Sequence, residues 1–148
     1  MNWVESYPYI AHRGLHSNSV VENTQGAIEL AIERGYAIEV DIQFLTSGEA
    51  IVFHDNSLKR QFGDSTFISD LNPAFAKYLR YRDGQKILFL AELLKIVDGR
   101  VPLLIEIKNE TYSAASTLAL VNELKLYKGK FSIDRKSTRL NSSHLVIS

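Results

Sequence analysis

Strand-like and helix-like patterns alternate along this 148-residue chain, and the alternation predicts an α/β fold with mainly parallel strand pairing. Two observations carry that prediction. Short β-favouring runs stand at 9–14, 37–44, 50–55 and 101–109, and between or after them lie segments with helical spacing that close on glycine, at 23–35, 89–99 and 111–129.

The first unit is "YIAHRG", a strand that runs directly into His12, Arg13 and Gly14. In "NTQGAIELAIERG" the apolar residues Ile28, Ala31 and Ile32 recur at helical spacing, Asn23 or Thr24 is a candidate N-cap, and Gly35 stands where a C-terminal cap belongs. "AIEVDIQF" alternates strictly, with Ile38, Val40, Ile42 and Phe44 on one face and Glu39, Asp41 and Gln43 on the other. The turn "TSGE" leads into "AIVFHD", read as a further strand ending in His54 and Asp55. From Leu58 to about Lys86 the periodicity fades, and this stretch is expected to be an excursion between core units. "FLAELLKIVDG" is an amphipathic helix, and "VPLLIEIKN" is a strand carrying charge inside it at Glu106 and Lys108. "TYSAASTLALVNELKLYKG" is the next helix, and "KFSI" begins one more strand.

Composition narrows the function. With 45% hydrophobic and 23% charged residues the chain has the makeup of an ordinary globular domain, and with no cysteine it has neither a disulfide framework nor a thiolate metal site. A formal charge of zero, without a basic cluster interleaved with aromatics, argues against nucleic acid as a partner. No apolar run approaches the roughly 18 residues of a membrane span, and the N-terminus lacks a leader pattern, so the expected location is cytoplasmic. The last fifteen residues, "DRKSTRLNSSHLVIS", differ from everything before them. They read as the translation of a sequencing adapter, so 134–148 is expected to be a non-native tail.

The charged residues inside strands point to chemistry. Glu39 and Asp41, two apart in a strand, project from one face, and Glu106 adds a third carboxylate on an otherwise apolar element. Buried anions of like sign need a positive partner. Either Lys108 and Arg13 form ordinary ion pairs with them, or one hard divalent cation, magnesium or calcium, sits among these oxygen ligands. His12 and His54 each close a strand, where catalytic groups collect in parallel α/β folds, and two imidazoles beside a cation suit acid and base roles in cleaving a phosphate ester. Arg13 is placed to hold a phosphate oxygen and Gly14 to let the backbone turn tightly. Glu22 is a secondary candidate for substrate binding, although "ENT" also reads as a plain helix start. His16 and His144 receive no role.

Taken together, His12-Arg13-Gly14, then "ENT", "EVDIQF", "FHD" and "IEIK" closely resemble the glycerophosphodiester phosphodiesterase family, within the phospholipase C-like phosphodiesterase superfamily. The resemblance runs from about Tyr9 to Lys108. It implies a TIM-type (β/α)8 barrel of which 1–133 is the N-terminal half, since such barrels need about 250 residues. It also implies a metal-dependent hydrolysis of small-molecule glycerophosphodiesters to sn-glycerol 3-phosphate and an alcohol. By resemblance His12 and His54 are the acid/base pair, Glu39, Asp41 and Glu106 the metal ligands, Arg13 the phosphate contact and Lys108 a phosphate-binding or charge-balancing group near them. The competing expectations are a noncatalytic barrel-type binding module or inactive fragment, and a lysophospholipase D-like relative acting on lipids.

Overall fold

The computed structural model describes residues 6–108, 113–135 and 145–147. Its strands are β1 (Tyr9–His12), β2 (Ala37–Phe44), β3 (Ala50–Val52), β4 (Leu103–Ile107), β5 (Phe131–Arg135) and β6 (Leu145–Ile147). Helices α1 (Gln25–Glu33), α2 (Lys59–Phe62), α3 (Pro73–Tyr78), α4 (Leu90–Val97) and α5 (Ala114–Leu126) fall between them, with a 3-10 turn at Ile68–Asp70. Of the expected tail, residues 136–144 and 148 lie outside the described residues, while Asp134 and Arg135 belong to β5 and 145–147 form β6.

The sheet runs β5-β4-β2-β1-β6 with every neighbouring pair parallel, as the alternation of patterns predicts. The exception is β3, which returns antiparallel along the end of β2, pairing Ile42 with Val52 and Phe44 with Ala50. A five-residue connection at 45–49 explains this, because a short turn can join antiparallel neighbours whereas a parallel pair needs a crossover of a dozen or more residues. "AIVFHD" is therefore a hairpin return rather than a member of the parallel series. "KFSI" accordingly opens the fourth of the sequential parallel strands β1, β2, β4 and β5 and not a fifth.

All eight residues of β2 are buried. Ile38, Val40, Ile42 and Phe44 pack with Ile28 and Ala31 of α1, Leu90, Leu93, Leu94 and Val97 of α4, and Leu120 and Leu124 of α5. That apolar layer holds the helices against one sheet face and leaves Glu39, Asp41 and Gln43 buried on the other. The N-cap of α1 is Thr24, whose hydroxyl accepts from Ala27 N and donates to Val21 O at 2.6 Å. α4 ends on two left-handed residues, Asp98 and Gly99.

The excursion after β3 has a core of its own. Phe53, Leu58, Ile68, Leu71, Ala76, Tyr81 and Ile87 form a second buried cluster, in which the rings of Phe53, Phe62 and Tyr81 lie 4.9–6.5 Å apart. Its two ends meet: Val52 N donates to Leu88 O at 2.8 Å, and Ile51 bridges Phe89.

Candidate active site

The polar sheet face becomes a site because its charged residues are in register. His12 stands opposite Glu39, and Asp41 stands opposite Glu106. His12 Nε2 lies 3.8 Å from Glu39 Oε1. The turn after β1 then clamps onto the sheet and onto the "ENT" loop, with Arg13 N donating to Glu39 O at 2.7 Å and Asn23 N donating to Arg13 O at 2.8 Å. Arg13 and Asn23 both hold the left-handed backbone conformation, with φ of 59° and 57°, which non-glycine residues adopt at a cost. Gly14, at φ 76°, could not carry a side chain: a Cβ would stand 2.8 Å from Ala27.

Asp41 is the hub. Its Oδ2 accepts from Asn23 Nδ2 at 3.2 Å and lies 3.5 Å from Arg13 Nε, while its Oδ1 lies 3.2 Å from Lys108 Nζ. Lys108 Nζ also donates to Glu106 Oε2 at 2.7 Å. Burial, the neighbouring Glu39 and a hydrogen bond with Glu106 together push the Asp41 carboxyl up to about 6, against the pull of Lys108 and His54. Burial disfavours the charge on Lys108, but Asp41 and Glu106 outweigh it and raise its pKa. Among the described residues no three His, Asp or Glu side chains are gathered as a metal-holding set, and Lys108 and Arg13 supply the positive charge instead. Three carboxylates thus share two cations, and the all-oxygen donor chemistry of Glu39, Asp41 and Glu106 fits a hard divalent cation.

His54 arrives by a different route from the one its sequence position suggests. It lies two residues beyond the hairpin strand β3, where Phe53 N donates to Asp41 O at 2.9 Å and Gln43 Nε2 donates to the carbonyls of His54 and Asp55, each at 3.0 Å. Gln43 thus brings the end of the hairpin to the polar face. His54 Nδ1 is 2.7 Å from Asp55 Oδ1, and His54, Asp55, Asn56, Ser57, Phe67 and Lys108 line a cleft of about 390 Å³. Glu22, half-buried, is held by Arg13 and by Arg60 of α2. Burial opposes the charges of Glu22 and Asp55, but Arg60 outweighs it and holds both carboxyls below their ordinary values. His16 is in the loop beside them, its pKa lowered mainly by burial, and His144 lies outside the described residues.

The structure therefore brings His12, Arg13, Glu39, Asp41, Glu106 and Lys108 together, with His54 at a cleft that Lys108 also lines and Glu22 attached through Arg13. Sequence reasoning gave no role to Asn23, Gln43, Asp55 or Arg60. Gln43 shares the face of Asp41 and could have been found from that alternation. Arg60 could not, because it reaches the site from a segment without periodicity.

Residues 12–145 match the model of the glycerophosphoryl diester phosphodiesterase family. A glycerophosphodiester phosphodiesterase of Caldanaerobacter subterraneus is 33% identical over 109 residues, covering 68% of this chain and 44% of that protein. Glycerophosphodiester phosphodiesterase 1 of Bos taurus is 32% identical over 123 residues, covering 76% and 37%. The chain thus spans half or less of the length of these relatives. Among solved structures, an Oleispira antarctica phosphodiesterase in complex with the product sn-glycerol-3-phosphate aligns with a TM-score of 0.78 and 25% identity, over 88% of this chain and 58% of that one. The parallel sheet with its outer helices is accordingly about half of a TIM-type (β/α)8 barrel. With the family model matched over most of the chain and the relatives and fold in agreement, the chain belongs to the glycerophosphoryl diester phosphodiesterase family.

Proposed function

We propose that this chain carries the catalytic face of a glycerophosphodiester phosphodiesterase, which hydrolyses small glycerophosphodiesters to sn-glycerol 3-phosphate and an alcohol. The observation that carries the reading is the convergence of two histidines, Arg13 and Lys108 on three buried carboxylates. Membership of the family and the product found in the Oleispira antarctica relative support the substrate class. In the reaction an oxygen nucleophile forms a new bond to phosphorus and the bond to the departing alcohol breaks. One of His12 and His54 takes the proton from the nucleophile and the other gives a proton to the leaving oxygen. Arg13 and Lys108 hold the nonbridging phosphate oxygens, and Glu22 keeps Arg13 in place. A magnesium or calcium ion held by Glu39, Asp41 and Glu106 would polarise a phosphate oxygen and offset the crowded negative charge.

The test is release of glycerol 3-phosphate from glycerophosphocholine by the full-length protein, with and without chelator. His12→Ala and His54→Ala should each lower kcat by about 10²–10⁴, and unchanged activity in either would sink the assignment. One observation favours a noncatalytic binding role: Lys108 and Arg13 already neutralise part of the carboxylate set. Divalent-ion binding without turnover would support that reading. Faster turnover of intact lysophospholipids than of deacylated diesters would support a lysophospholipase D-like enzyme. The cytoplasmic location and a domain boundary at residue 133 are further parts of the proposal. No helix among the described residues is long and apolar enough to cross a membrane, and the genomic codons after 133 test the boundary.

A further inference from the structure

Arg60 stands outside the reacting groups, on the one-turn helix α2, yet its guanidinium grips two carboxylates at once. Nε and Nη2 donate to Asp55 Oδ2 and Oδ1 at 2.7 and 3.0 Å, and Nη1 and Nη2 donate to Glu22 Oε1 and Oε2 at 3.1 and 2.8 Å. Each of those carboxylates has a second partner. Asp55 Oδ1 meets His54 Nδ1 at 2.7 Å, and both oxygens of Glu22 accept from Arg13 Nη1 at 3.2 Å. Arg13, Glu22, Arg60, Asp55 and His54 thus form one continuous chain of alternating charge. It links the turn after β1 to the end of the hairpin.

We propose that Arg60 is a positioning residue that, through Asp55, fixes the ring orientation and tautomer of His54 and, through Glu22, fixes the guanidinium of Arg13. The inference rests on the phosphodiesterase reading for its kinetic consequence but not for its structural one. A carboxylate that accepts from Nδ1 keeps the proton there and leaves the Nε2 lone pair as the ring's base. Asp55 alone could not do this reliably, because its side chain can rotate away. A planar fork holding both oxygens removes that freedom. The Arg60 side chain is 49% exposed, and ion pairs that exposed add little to stability. Geometry, and not fold stability, is therefore what this doubly bidentate contact provides.

The tautomer of His54 can be read directly from long-range ¹H–¹⁵N spectra of this chain, recorded at a pH where the spectra themselves show the ring to be neutral. The unaltered protein should show a single Nδ1–H form. R60Q should show a mixture of tautomers, and R60M, which keeps the apolar stem without any donor, should do the same if R60Q does not fold. In the full-length enzyme kcat should fall by about ten- to a hundredfold with KM changed by less than about twofold, and R60K should recover part of the loss. A single, unaltered Nδ1–H tautomer in the folded variant overturns the proposal, whatever its kcat. If even the unaltered full-length protein releases no glycerol 3-phosphate, the spectra still decide the role of Arg60, and the catalytic reading is the one that falls.

Discussion

The two groups of carboxylates in this molecule are neutralised to different degrees. On the sheet, Glu39, Asp41 and Glu106 share Lys108 and Arg13, and burial, reinforced by the neighbouring Glu39 charge, raises the proton affinity of Asp41. At the rim, Glu22 and Asp55 share Arg60, with Arg13 and His54 as further partners, and both carboxyls are held low. Matched charge at the rim holds side chains in place. Unmatched charge on the sheet leaves a site that a hard cation would stabilise further.

The largest expected effect separates the two groups by activity. Asp41→Asn should remove several kcal/mol of transition-state stabilisation, a loss of about a thousandfold in kcat/KM. The same variant should also abolish the rise in melting temperature that magnesium or calcium gives the unaltered protein, whereas R60Q should keep that rise. A divalent-ion response that survives Asp41→Asn would break the contrast.

Next in size is Glu22→Gln, which leaves Arg13 and Arg60 short of charge. Its cost of about 1–3 kcal/mol is measurable by denaturant unfolding.

The two groups should also answer pH with opposite sign in metal-free protein. The Asp41 carboxyl, pushed up from 3.8 to about 6, binds its proton more tightly in the folded chain. Its contribution to stability is complete below pH 3.8 and is lost as pH rises through about 6. Glu22 and Asp55, held low, contribute stability above the ordinary carboxylate range and lose it as pH falls through their folded values. Melting curves should therefore show Asp41→Asn gaining on the unaltered protein, on the order of 1–3 kcal/mol, as pH rises from 4 to 7. Parallel pH profiles would sink this account. The smallest effect is that of salt: at about 1 M the half-exposed Arg60 pairs should lose less than about 1 kcal/mol.

The sheet was legible in the sequence and the excursion was not, for a physical reason. Helices α1, α4 and α5 turn apolar residues toward the sheet, and β2, although buried on both faces, alternates apolar with polar residues, so the sequence shows the period of each element. Leu58, Ile68, Leu71, Ala76, Tyr81 and Ile87 instead converge from one-turn helices and loops, where no period survives. The same difference divides the site. Glu39, Asp41, Glu106 and Lys108 stand out as charges within apolar strands, whereas Arg60 lies in a segment where charge is unremarkable. The direction of β3 was also hidden, because the β-favouring run at 50–55 does not announce that its strand turns back. His54 still lies beside the polar face, since Gln43 and the backbone of Asp41 bring the end of the hairpin to the side that a parallel strand would have reached.

The meeting of Val52 with Leu88 has a consequence for how such a chain can diversify. A segment that leaves and rejoins the sheet at one point can change length at little cost, because closing a loop costs only about 0.6 kcal/mol more for each doubling of its length. Its buried cluster is distinct from the one beneath the helices and meets the hairpin through Leu45 and Ile51, so substitutions there have few sheet residues to match. The stretch from 61 to 88 is thus the part of the chain where length and sequence can change while His54, Asp55, Arg60 and the chemistry-bearing strands stay as they are.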